Sequence, residues 1–168
     1  MKYSIKNKNS LVIIFICFLS ILITLEILSA LFAYETIGEV TSGFYVLMIF
    51  LNIIPILLFI LKRKLLSFFI TIIIGAILIP GQILLGHKLF LLKNESASVV
   101  NYIYKYKIRN GKYPVDISEY RYKYPELRNH ITYNFKDTDF SVYYYVSTPN
   151  TFHYYVHSRG YNWGYYPD

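Results

Sequence analysis

Cysteine is almost absent from this chain of 168 residues, and the one thiol, Cys17, excludes an internal disulfide and any metal site built on paired thiolates. Acidic residues are scarce as well: ten Asp and Glu stand against 17 Lys and Arg, for a formal charge of +7. The eight glycines form no phosphate-cradling loop, and neither a nucleophile elbow nor a paired-acid motif occurs. These absences imply no cofactor and point away from an enzyme.

What is present is apolar and aromatic, and it is unevenly placed. Hydrophobic residues make up 55% of the chain, yet the long aliphatic runs lie in residues 1–93, while residues 94–168 hold sixteen of the 19 tyrosines. The composition therefore divides the chain near Asn94 into two domains, 1–93 and 94–168. The charge divides too: eight Lys/Arg stand against three Glu before Asn94, and nine against seven acids after it. Most of the positive excess thus flanks apolar runs, where topology explains it, so no nucleic-acid partner is implied.

Leu11–Tyr34 is a run of 24 residues with a single charge, about 36 Å as a helix against a hydrocarbon core of about 30 Å. Two further runs follow, residues 44–61 and 65–85. Backbone polar groups must be satisfied internally within a bilayer, so each run is expected to be a transmembrane helix, with the carbonyls freed near Pro55 and Pro80 satisfied by neighbours. A signal peptide with Lys2, Lys6 and Lys8 as its basic region competes for the first run, but that run is longer than such a peptide needs.

The loops orient the bundle. Lys2, Lys6 and Lys8 precede the first span and Lys62-Arg63-Lys64 join the second to the third, whereas Glu35 and Glu39 lie between the first and second. The positive-inside rule then places the N-terminus in the cytoplasm and residues 94–168 outside it, in a multi-pass protein of the cytoplasmic membrane.

Glu26 is the one ionisable residue deep in a span, which makes it a candidate site by default. Counted from the outer helix ends, Glu26 and Asn52 lie about 12 Å deep and Gln82 about 5 Å. The three are expected to form one intramembrane polar cluster that fixes helix packing or lines a polar path, and hydrocarbon favours the neutral acid.

Beyond Pro80-Gly81 and Gly86, where a kink is expected, the apolar pattern becomes periodic. Val99, Val100, Ile103 and Tyr104 mark one stripe of a helix from about Glu95 to Arg109, stopped by Asn110-Gly111. An apolar span leading into an amphipathic helix that ends at Asn110-Gly111-x-Tyr113-Pro114 resembles the globular heads of type IV pilins and type II secretion pseudopilins. Tyr104, Asn110, Gly111, Tyr113 and Pro114 carry the likeness, with Ile117 to Tyr120 following. The resemblance implies a long helix packed on an antiparallel sheet, and a place in a pilus or secretion assembly. Two spans stand ahead of the helix that enters this head, and Met48 holds the position where a pilin processed at Gly43-Phe44 would carry Glu.

From Asn129 on, β-branched and aromatic residues alternate with polar ones, which predicts three to four strands. Ile131, Tyr133 and Phe135, then Phe140, Val142, Tyr144 and Val146, then Phe152, Tyr154 and Val156 form the expected buried face over the helix stripe. The opposite face then carries Tyr143, Tyr145, His153, Tyr155 and His157, a candidate protein-binding surface, since Tyr covers area with little loss of rotamer freedom. His153 and His157 lack a Cys or carboxylate at ligand spacing, and Asp137 with Asp139 reads as a hairpin turn, so no metal is expected.

The fold class expected is thus an α+β membrane protein: three transmembrane helices, then a small extracytoplasmic domain with one long helix on an antiparallel sheet. The corresponding function is a non-enzymatic presenter of a protein-binding domain, an envelope accessory or immunity factor whose partners are the lipid bilayer and another envelope protein. A pilin-like assembly component, or a small transporter or channel subunit working through Glu26, is the alternative.

Overall fold

The computed structural model describes residues 3–34, 42–145, 152–156 and 163–166. Three helices come first: α1 (Tyr3–Tyr34), α2 (Ser42–Ile60) and α3 (Lys64–Asn110). A 3-10 turn at Pro125–His130 leads into β1 (Ile131–Lys136), β2 (Asp139–Tyr145), β3 (Phe152–Val156) and β4 (Trp163–Tyr166). The strands pair antiparallel in the order β1-β2-β3-β4. The chain divides into two compact units, Met1–Gly86 and His87–Asp168.

In the first unit, Ser10–Tyr34, Ser42–Ile60 and α3 are each long and apolar enough to cross a membrane. The link between α2 and α3 is only three residues because Lys62 takes the left-handed conformation (φ 59°) that closes a helix end. Lys62 N–H then bonds Phe59 O and Arg63 N–H bonds Leu58 O, which satisfies the last carbonyls of α2. Ser67 Oγ donates across to Pro55 O at 2.7 Å and ties the start of α3 to the middle of α2.

Burial in this unit departs from that of a water-soluble bundle: polar and small residues share the interior with a few large apolar ones, Phe15, Phe44, Met48 and Ile74 among them, and most large apolar side chains face outward. Its interior includes Glu26, Ser29, Ala30, Ala33, Asn52, Ser67 and Thr71, while Ile13, Phe50, Leu65 and Leu84 are between 60% and 89% exposed. Small residues allow close approach: a Cβ on Gly75 would stand 2.5 Å from Leu22, and one on Gly86 2.5 Å from the Phe32 ring. Phe15 adds a stacked contact with Phe59, centroids 4.1 Å apart.

α3 differs from the expected pair of helices, 65–85 and 95–109. It is one helix of 47 residues, with Pro80 inside it and no break at Gly86. Proline at position 80 removes a single amide donor, whereas Asn94, Glu95 and Ser96 carry ordinary helix propensity and offer no stop. Gly86 serves close packing against α1 instead of a hinge. The helix ends where the motif predicts, at Asn110, with Gly111 left-handed (φ 74°) and its N–H on Lys107 O.

In the second unit the burial is conventional. Val99, Val100 and Ile103 of α3 are buried, as are Ile131, Phe140, Val142, Tyr144 and Tyr155 of the sheet. Tyr104 meets Phe140 edge-on at 5.4 Å, so aromatic rings join helix and sheet. β1 and β2 form a tight hairpin closed by Lys136↔Asp139, with Asp137 at φ 55°, the left-handed conformation a two-residue hairpin turn demands.

The faces of β1 and β2 follow the expected alternation, but that of β3 is reversed. Val142 pairs with Tyr155 and Tyr143 with Tyr154, so Tyr155 belongs to the buried face. Parity depends on the length of the β2–β3 connection, and a shift of one residue exchanges the faces of a strand. The position adopted stacks the Tyr155 ring near Phe140 (5.9 Å) and beside Trp163 (5.6 Å).

Candidate functional site

Two of the three residues expected in the intramembrane cluster meet. Asn52 Nδ2 donates to Glu26 Oε2 at 2.8 Å and to Met48 O at 3.0 Å. Glu26 is wholly buried and Asn52 is 5% exposed, so the bond is made away from solvent. Ser29 Oγ donates to the backbone carbonyl of Glu26 at 2.9 Å. Gln82 is half-buried and makes no described hydrogen bond to either partner; its Oε1 is buried without a donor. Glu26 Oε1 and Asn52 Oδ1 are likewise buried and accept no hydrogen bond.

The expected binding face of the sheet is smaller than its sequence pattern. Tyr143 accepts a hydrogen bond from Ser141 Oγ at 3.0 Å, and Tyr145 is 38% exposed. Tyr155 is a correction: it is 4% exposed and its hydroxyl lies 2.7 Å from the Tyr104 hydroxyl, inside the head. His153 pairs with Tyr144 along the ladder. His157 lies outside the described residues.

Sequence reasoning missed Glu95. It is 3% exposed, and its Oε1 accepts both the Tyr120 hydroxyl at 2.9 Å and the Lys123 amide at 3.0 Å. One carboxylate thus fixes the irregular segment after α3 onto the helix, and a hydrogen bond to a charged group is among the stronger kinds. Burial, followed by the Glu95 carboxylate, pushes the Tyr120 hydroxyl well above the usual tyrosine range. The only sequence signal was an acid beside an otherwise apolar stripe, with partners 25 and 28 residues away.

The same segment shapes a cleft of about 200 Å³ lined by Tyr102, Tyr106, Lys112, Asp116 and Glu119. Asp116 receives the Ser118 hydroxyl and, at 2.8 Å, its amide; these bonds, the hydroxyl's first, lower the carboxyl below its usual range. Tyr133 donates to Pro114 O at 2.5 Å, which holds the Asn110–Pro114 turn against β1. Burial pushes the Tyr133 hydroxyl up to about 12.

Comparison with protein-family models, with curated proteins and with solved structures finds no match to this chain.

Proposed function

We propose that the chain is a multi-pass protein of the cytoplasmic membrane that holds a small, non-enzymatic protein-binding head outside the cytoplasm, as an envelope accessory or immunity factor. The observation that carries the membrane part is the burial pattern of residues 10–86: Glu26, Ser29, Asn52, Ser67 and Thr71 are inside, while most of the Ile, Leu and Phe side chains are outside. Water penalises that arrangement and lipid does not. Orientation rests on the basic N-terminus and the basic triplet Lys62-Arg63-Lys64 against Glu35 and Glu39 between the first and second apolar runs. The binding part rests on Tyr143 and Tyr145, which share the sheet face opposite the aromatic core.

A reporter fused after Asp168 and photo-crosslinkers placed at Tyr143, Tyr145 and Val115 test both parts in intact cells. The reading expects an extracytoplasmic reporter and adducts at the two tyrosines but not at Val115. A cytoplasmic reporter sinks the topology, and equal adducts at all three positions sink the face.

A second reading, a pilin-like component of a pilus or secretion assembly, draws support from the anchored turn. Gly111 is left-handed at the end of α3, Tyr113 and Pro114 are buried, and Tyr133 holds the Pro114 carbonyl. Under this reading the chain co-purifies with filament subunits and its loss abolishes the filament; under the first, filaments form without it.

A further inference from the structure

We propose that Glu26 and Asn52 form the core of a binding site for a dehydrated monovalent cation of sodium size, enclosed by α1, α2 and α3. The inference is independent of what the head binds. It begins with three oxygens that accept nothing: Glu26 Oε1 on α1, Asn52 Oδ1 on α2 and Gln82 Oε1 on α3, all buried. Asn52 has committed its Nδ2 to Glu26 Oε2 and Met48 O, so its amide has no donor left for its neighbours. Buried acceptors of this kind are costly unless something positive meets them.

The register of the helices brings the third oxygen within reach. Gly75 packs on Leu22 and Gly86 on Phe32 and Ala33, so α1 and α3 run parallel with residues about 53 apart side by side. Gln82 therefore lies level with Ser29, one helical turn or about 5 Å along from Glu26. Ser29 gives its hydroxyl proton to the Glu26 carbonyl and keeps its lone pairs. Each of the three helices thus offers a side-chain oxygen at this level of the bundle.

Charge selects the valence. Between residues 10–34, 42–60 and 65–86, Glu26 is the one charged or titratable acid or base besides the tyrosines and Cys17. The polar side chains that α2 and α3 turn inward between residues 42 and 86, Asn52, Ser67, Thr71 and Gln82, are neutral. One carboxylate neutralises one unit of positive charge, and a divalent ion would leave a net charge in an apolar bundle. Among the described residues no three His, Cys, Asp or Glu converge, so transition metals lack their ligands. Carboxylate and amide oxygens suit a hard cation and can replace its hydration shell.

A proton on Glu26 would also neutralise the site, but it supplies one hydrogen bond. It would convert Oε1 into a donor and satisfy a single acceptor, whereas a cation meets all three oxygens at once.

The test uses the full chain in detergent micelles at mildly alkaline pH, with thermal unfolding of the helices followed by circular dichroism. Sodium, potassium and N-methylglucamine chlorides are compared at one ionic strength. The expected result is a saturable rise of several degrees in sodium alone. Acidification should raise the half-saturating concentration, because protons compete for Glu26. Gln82→Leu leaves the Glu26–Asn52 bond in place and should weaken sodium binding about tenfold, and Glu26→Gln should abolish the rise. Equal midpoints in the three salts overturn the proposal, as does a midpoint that follows pH but not sodium, or a sodium effect that survives Glu26→Gln. Should Glu26→Gln fail to fold, the salt comparison and Gln82→Leu decide alone.

Discussion

Phe50 and Phe140 put the two halves of the molecule side by side. Phe50, in α2, is 67% exposed; Phe140, in β2, is 2% exposed and touches Tyr104, Tyr113, Tyr133 and Tyr155. The first unit turns most of its large apolar side chains outward, and in its interior Ala, Ser, Thr, Gly and a Glu–Asn pair stand among a few large residues such as Phe15, Phe44, Met48 and Ile74. The second does the reverse. Apolar content alone therefore does not say which side of a helix is the inside. Among helices surrounded by lipid, what distinguishes the inner face is small size and hydrogen-bonding capacity, since apolar surface gains nothing by leaving hydrocarbon.

The largest effect expected from this contrast comes from exchanging each phenylalanine for alanine. Phe140→Ala should cost the head about 3–5 kcal/mol, the range for emptying a buried aromatic site. Phe50→Ala should stay within about 0.5 kcal/mol, as for surface positions generally. Trp163 is the single tryptophan and sits 5.5 Å from Tyr144 and 5.6 Å from Tyr155, so its fluorescence reports denaturation of the head within the full chain. Resistance of the helical signal to detergent denaturation reports the first unit. Comparable losses for the two variants would erase the contrast.

A second pair sharpens it inside α3. Gly86→Ala brings a Cβ to 2.5 Å from the Phe32 ring and 3.0 Å from the Ala33 backbone, and overpacking of this kind costs about 1–3 kcal/mol. Gly81 has nothing within 4 Å, so Gly81→Ala should be neutral or gain up to about 1 kcal/mol through helix propensity. Both are read in the same detergent titration. If Gly81→Ala is the more damaging, the face assigned to lipid is in fact packed.

Much of this arrangement was legible in the residues, and what was not has definite causes. The three long apolar helices announced themselves as uninterrupted apolar runs of a length that could cross a membrane, and the Glu26–Asn52 pair because a polar residue in such a run must find a partner. The continuity of α3 was hidden by a change of composition at Asn94 that is not a change of backbone preference. The reversal of β3 was hidden because parity is decided by how the chain crosses from β2, which alternation within each strand does not encode. Tyr155 was misplaced for that reason alone. Glu95 escaped notice because its partners Tyr120 and Lys123 come from an irregular segment with no periodicity to place them.

The gentlest test separates the halves by pH. Burial pushes the Tyr144 hydroxyl up to about 12. An unfolded tyrosine titrates near 10, so between those values the folded head keeps a proton that the unfolded chain releases. Raising the pH then favours unfolding: the stability contributed by Tyr144 is complete below about pH 10 and is lost as pH approaches 12. The Trp163 signal should therefore show the head loosening over that window. Tyr144→Phe removes the titrating group at a cost of about 1 kcal/mol or less at neutral pH, and should leave a shallower alkaline loss. Tyr133, pushed up to about 12 chiefly by burial, and Tyr120, raised by burial and by Glu95, contribute to the remainder. An alkaline profile identical in Tyr144→Phe and the parent would mean that the ring is not held in the dry environment β2 gives it, and the conventional core attributed to the second half would lose its largest fully buried side chain.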